Sequence, residues 1–188
     1  MKGKYERNSE VVKKPRVFYS YKMDYDLIDG IDDALKNLKF AESNISNTSD
    51  SFRIICFSND RDAGYFLKEV GDALASLEFA KSKGILKDFL LKYEYERAII
   101  YLKMLLKLKA VHFSYQQWDS MYSLRKEEDT LELTSLFSTY SILAADFKLF
   151  SDKHPIHRPY YLFTACVNLL ILLKREAKKE VNWMREAA

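Results

Sequence analysis

Residues 85–154 read ILKDFLLKYEYERAIIYLKMLLKLKAVHFSYQQWDSMYSLRKEEDTLELTSLFSTYSILAADFKLFSDKH, 70 consecutive positions without a glycine or a proline. These two residues punctuate turns and strand ends, and a fold built from strands needs such punctuation every several residues. A run this long without either, rich in Leu, Lys, Glu, Tyr and Ala, folds as long helices. It sets the fold class of the chain as all-α, a compact bundle of five or six helices.

The first helix of the run is expected from Leu86 to about Phe113. At about 100° per residue, Lys92, Glu96, Lys103 and Lys107 share one narrow arc. Apolar side chains fill most of the remaining circumference, the pattern of a helix at the centre of a bundle or at a subunit interface. The helix continues or kinks near Ser114–Asp119 and ends before Lys126. Asp129 and Glu132 then form a D-x-x-E pattern resembling a capping box. The helix opened there presents Leu133, Leu136, Phe137, Tyr140, Leu143, Ala144, Phe147 and Phe150. Residues 151–158 (SDKHPIHR) make a turn, and Pro159 suits the first position of a last helix running to about Arg185. That helix again has one polar arc, Thr164, Asn168, Arg175 and Lys179, and is expected to pack against the 86–113 helix. Its apolar run, Tyr160 to Leu173, is 14 residues long. A membrane-spanning helix needs about 20, so the run is read as a buried core helix.

Upstream, a helix is expected over residues 24–43, with Leu27, Ile31, Leu35, Leu38 and Phe40/Ala41 on its apolar face. Asp24, Asp26, Asp29, Asp32 and Asp33 crowd its start, where the positive end of the helix dipole favours them. Residues 44–51 (NISNTSDS) form a loop. Phe52–Phe57 (FRIICF) reads either as a buried strand or as the first turns of a helix broken at Ser58–Asp60; the helical reading is preferred, because isolated strand pairs are marginal. Val17–Met23 is a short strand or a lead-in. Residues 60–83 form a helix on Ala63, Phe66, Leu67, Val70, Leu74 and Leu77, ended by Gly84. Gly64, Gly71, Ala75 and Ser82 make a seam of small residues on that helix. Such a seam either admits a close helix backbone or faces water.

Charge is unevenly spread. Residues 1–16 hold six basic and two acidic residues, so they carry more than the whole net charge of +3. We read them as a disordered basic tail and residues 17–188 as a single helical domain. Cys56 and Cys166 both lie in apolar runs without metal-like spacing, as reduced buried thiols do. No apolar stretch follows the N-terminal basic residues, so no secretory signal is read. The expectation is a soluble intracellular, cytoplasmic protein with no membrane association.

Chemical motifs are sparse. His154-x-x-His157 has no third ligand nearby and reads as a pair of turn histidines. Asp26, Asp29 and Asp33 share one helix face, but one helix supplies too few converging carboxylates for a hard cation. There is no G-x-G-x-x-G and no Walker loop, and neither cysteine has a histidine near it in sequence. The chain is therefore read as non-catalytic, with no cofactor and no metal.

The leading expectation is an interaction or structural protein, partnered by another protein or by its own copies. Thr164, Asn168, His112 and Tyr115 are its candidate interaction or pocket residues. The alternative is a nucleic-acid-associated accessory protein. It would contact phosphates through Lys13, Lys14 and Arg16 of the tail and through Lys174, Arg175, Lys178 and Lys179. Glu176 and Glu180 are interleaved with the second group, as on a solvated face with paired charges.

Overall fold

The computed structural model describes residues 26–46, 53–83, 89–108, 135 and 157–187. The basic tail, residues 17–23, Gly84 and, apart from the helical residue Ser135, the expected helix over 129–150 lie outside them. Among the described residues the chain forms four helices and no strand: α1 (Leu27–Glu42), α2 (Asp60–Lys83), α3 (Phe89–Lys107) and α4 (Arg158–Ala187). The all-α reading holds for this part of the chain.

Local chemistry explains the boundaries. The aspartates at the head of α1 act as caps. The Asp26 carboxylate accepts from the Asp29 amide at 2.9 Å, and the Asp29 carboxylate accepts from the Asp26 amide at 3.2 Å. This reciprocal box satisfies two amides that a helix start leaves unpaired. At the head of α2 the Asn59 side chain accepts from the Asp62 amide at 2.9 Å and donates to the Asp62 carboxylate at 3.1 Å. The break expected at Ser58–Asp60 is therefore a capped helix start. Pro159 is buried in the first turn of α4.

The segment before α2 corrects the preferred reading. Ile54–Phe57 is neither helix nor strand, yet all four residues are buried. Arg53 sits just before them with φ of 53°. That left-handed conformation fits neither a right-handed helix nor an ordinary strand. The segment is tied down by the Ser46 amide, which donates to the Cys56 carbonyl at 2.9 Å. Its apolar run acts as a strap under the bundle, the Phe57 ring lying 5.3 Å from that of Phe66.

Each helix packs against the next, and α4 closes the ring against α1. The α1/α2 and α2/α3 pairs run antiparallel: Gly30 faces Ser76 and Ala80 while Asn37 reaches Ser76, and ion pairs join Lys81 to Glu96 and Glu78 to Lys103. The wet arc expected on α3 is thus used in part, Glu96 and Lys103 meeting charges on α2. Residues 98–102 of α3 are all buried, a run that points in every direction around the helix. Over this run α3 is covered on all sides, and it packs on α4 as expected.

The small-residue seam of α2 does not carry a close helix approach. A methyl group at Gly64 or Gly71 would meet nothing within 4 Å. The close approach is instead at Gly30 on α1. A side chain there would overlap the Ala80 methyl and come within 3.2 Å of the Ser76 carbonyl oxygen and 3.4 Å of the Tyr95 hydroxyl. The absence of a Cβ at Gly30 sets how closely α1 and α2 lie.

Candidate interaction surface

α4 carries most of the described residues that the sequence puts forward. Its inward stripe is Leu162, Phe163, Cys166, Leu170, Leu173 and Ala177, all buried. The outward face begins with Thr164, whose hydroxyl donates back to the Tyr160 carbonyl at 2.9 Å. Serine and threonine satisfy themselves this way inside helices. Asn168, one turn on, is exposed. The two share one side of α4, whereas His112 and Tyr115 lie outside the described residues.

The apolar run 160–173 is not wholly core. Ile171 is 55% exposed and Leu172 45% exposed. On a helical projection they flank the arc of Thr164, Asn168, Arg175 and Lys179, one on each side. That angular position was readable in the sequence, but the continuous apolar run obscured it.

The basic turn that follows is laced with acid. Lys174 pairs with Asp32 across the α1/α4 contact. Arg175 and Lys179 both donate to one oxygen of Glu176, at 3.2 and 3.0 Å. The hydrogen bond from Lys179, helped by that from Arg175, holds the Glu176 carboxyl below its ordinary range. Lys178 is exposed. Lys13, Lys14 and Arg16, the tail's candidate phosphate contacts, lie outside the described residues.

A second cluster joins the strap to the head of α4. The Arg53 guanidinium donates to the Tyr161 hydroxyl at 3.2 Å. His157 Nδ1 lies 2.8 Å from the Arg53 carbonyl oxygen, so this nitrogen carries the proton, since a carbonyl only accepts. Arg158 is buried beside them in sequence and is engaged. His157, read from the sequence as a turn histidine, fastens the strap; His154 lies outside the described residues. Nothing in the sequence around Arg53 signals its left-handed backbone.

Burial holds one thiol and one phenol of the core in their protonated forms. Cys56 and Cys166 are both buried, and neither is in a disulfide. Burial pushes the Cys166 thiol well above its ordinary range, and a protonated thiol is a poor nucleophile. Tyr95 donates to the Leu77 carbonyl at 2.7 Å, and burial likewise pushes its phenol upward. Among the described residues no three His, Cys, Asp or Glu side chains are grouped to hold a metal ion, and no helix is long and apolar enough to cross a membrane. No protein family, curated protein or solved structure matches this chain.

Proposed function

We propose that this chain is a non-catalytic helical protein that works through protein–protein contacts and assembles as an oligomer. The observation that carries the reading is the exposure of Ile171 and Leu172 on the outward face of α4. Single exposed apolar residues are ordinary. Two adjacent ones on the same helix, flanking a polar arc with no described helix over it, favour a face that is covered in use. Phe40 and Tyr65 add exposed apolar surface on α1 and α2.

The same proposal includes the finer architecture. Burial around the whole circumference of α3 supports a bundle of five or six helices, because two neighbours cover only part of a helix surface. The domain is 17–188, behind a disordered tail over residues 1–16. Two buried cysteines outside any disulfide are in keeping with a soluble protein of the cytoplasm, where thiols stay reduced.

Light scattering over a concentration series, with identification of the proteins that co-purify, tests the reading. A strict monomer at high concentration with no co-purifying protein refutes it. The second reading is a nucleic-acid accessory role, favoured by Arg175, Lys178 and Lys179 standing exposed together on α4. It requires polynucleotide binding that collapses with added salt and weakens on deletion of residues 1–16.

A further inference from the structure

The outward face of α4 has a symmetry of its own. Its centre is Thr164, Asn168, Arg175 and Lys179, and its flanks are Ile171 and Leu172. About the midpoint between residues 171 and 172, Asn168 and Arg175 are equidistant, and so are Thr164 and Lys179. One half offers neutral groups with oxygen acceptors; the other offers cations.

We propose that a second copy of this chain covers this face, α4 lying antiparallel on the partner's α4 about a two-fold axis at Ile171–Leu172. The proposal rests on the reading of the chain as an interaction protein and names the occupant of its exposed face. A two-fold dimer presents the same patch from both subunits, so the patch must complement itself. In the antiparallel arrangement it does. The Arg175 guanidinium meets the partner's Asn168, whose amide oxygen accepts. The Lys179 ammonium meets the partner's Thr164, whose hydrogen is already given to the Tyr160 carbonyl and whose lone pairs are left to accept. Ile171 meets the partner's Leu172 on one edge of the axis, and Leu172 meets the partner's Ile171 on the other.

A parallel pairing fails the same test, because Arg175 and Lys179 would each face a like charge. An acidic outside partner is less favoured, because Glu176 already offsets part of the charge of Arg175 and Lys179, each of which keeps further N–H donors for a neutral acceptor.

The patch also sets the strength of the dimer. From Thr164 to Lys179 the face is about 22 Å long at 1.5 Å per residue. One helix pair of that length falls short of the roughly 800 Å² per partner typical of stable complexes. The dimer is therefore weak and concentration-dependent.

The experiment uses the full chain. Sedimentation over a wide concentration range should show a monomer–dimer equilibrium, and Ile171→Glu with Leu172→Glu should weaken it at least tenfold. Both positions are exposed, so helical circular dichroism should be unchanged. Direction is read by cross-linking. Asn168→Cys and Arg175→Cys chains are prepared separately, mixed, and treated with a short bismaleimide. The native cysteines are buried and do not compete. The antiparallel dimer gives the mixed species in excess over either self-linked one.

Self-linked products in excess overturn the arrangement. A dimer untouched by the glutamate substitutions and not cross-linked also overturns it, while leaving the interaction reading intact. A monomer that co-purifies with another protein has the same consequence. A monomer with no protein partner overturns both.

Discussion

Replacing Gly30 by alanine should destabilise the protein, although alanine is the better helix former. The intrinsic gain is about 1 kcal/mol in a helix interior. Against it stands the Ala80 methyl group, which the new methyl would overlap. An alanine Cβ is fixed to its backbone and has no rotamer to escape into, so α1 and α2 must separate locally. The Ser76 carbonyl at 3.2 Å and the Tyr95 hydroxyl at 3.4 Å close the remaining directions. Overpacking of this kind costs about 1–3 kcal/mol, and a rigid neighbour places it at the upper end. The net loss should be about 2 kcal/mol, or roughly 4–8 °C in melting temperature for a chain of this size. Urea unfolding followed by helical circular dichroism measures it. Gly64→Ala and Gly71→Ala are the internal controls, because nothing lies within 4 Å of a methyl at either; each should stabilise by up to about 1 kcal/mol. In a double-mutant cycle, Ala80→Gly should recover most of the Gly30→Ala loss, with a coupling of about 2 kcal/mol. A neutral or stabilising Gly30→Ala, or a cycle without coupling, would refute the reasoning.

Four further outcomes are expected. Phe66→Ala, which removes a buried ring packed against Phe57 and Phe163, should cost about 3–5 kcal/mol in the same urea assay. Arg53→Gly should be more stable than Arg53→Ala by about 1 kcal/mol, since both lose the bond to Tyr161 but only glycine adopts the left-handed backbone freely; equal stabilities would show that the backbone conformation is not held in solution. Stability should fall in alkali: Cys166 and Tyr95 are held protonated in the fold and ionise when unfolded, so their contribution is full below the unfolded values and declines above about pH 8.5 for the thiol and about pH 10 for the phenol, by about 1.4 kcal/mol per pH unit for each group. Cys166→Ala should remove the first of these slopes, seen as a flatter dependence of the urea midpoint between pH 8.5 and 10.

Periodic features were legible because they repeat. The apolar spacing of Ala63, Phe66, Val70 and Leu77 marked α2, and the acidic run at the head of α1 marked its start, although the reciprocal cap of Asp26 and Asp29 was not read from it. The apolar remainder of α4 foretold its packing on α3. What escaped was whatever depends on a partner distant in sequence. Gly30 gives no local sign that Ala80 will lie against it, whereas Gly64 and Gly71 looked like a contact seam because their spacing is regular. The Ile54–Phe57 strap has the composition of a strand and the length of a helical turn, and only Arg53 and the Ser46 amide decide that it is neither. On α4 the signal for Ile171 and Leu172 was present as an angle but was masked by the continuity of the run. Thr164 and Asn168 were singled out as a pair, and they do share a face; their meaning depends on what covers that face.

The concealment of both cysteine thiols makes the molecule its own reporter. Cys56 rides on an irregular strap and Cys166 on the inward side of α4, so a thiol reagent can reach each only when a different part of the protein lets go. Timing the two modifications separately by mass spectrometry would tell whether strap and helix breathe together or apart, with no label introduced.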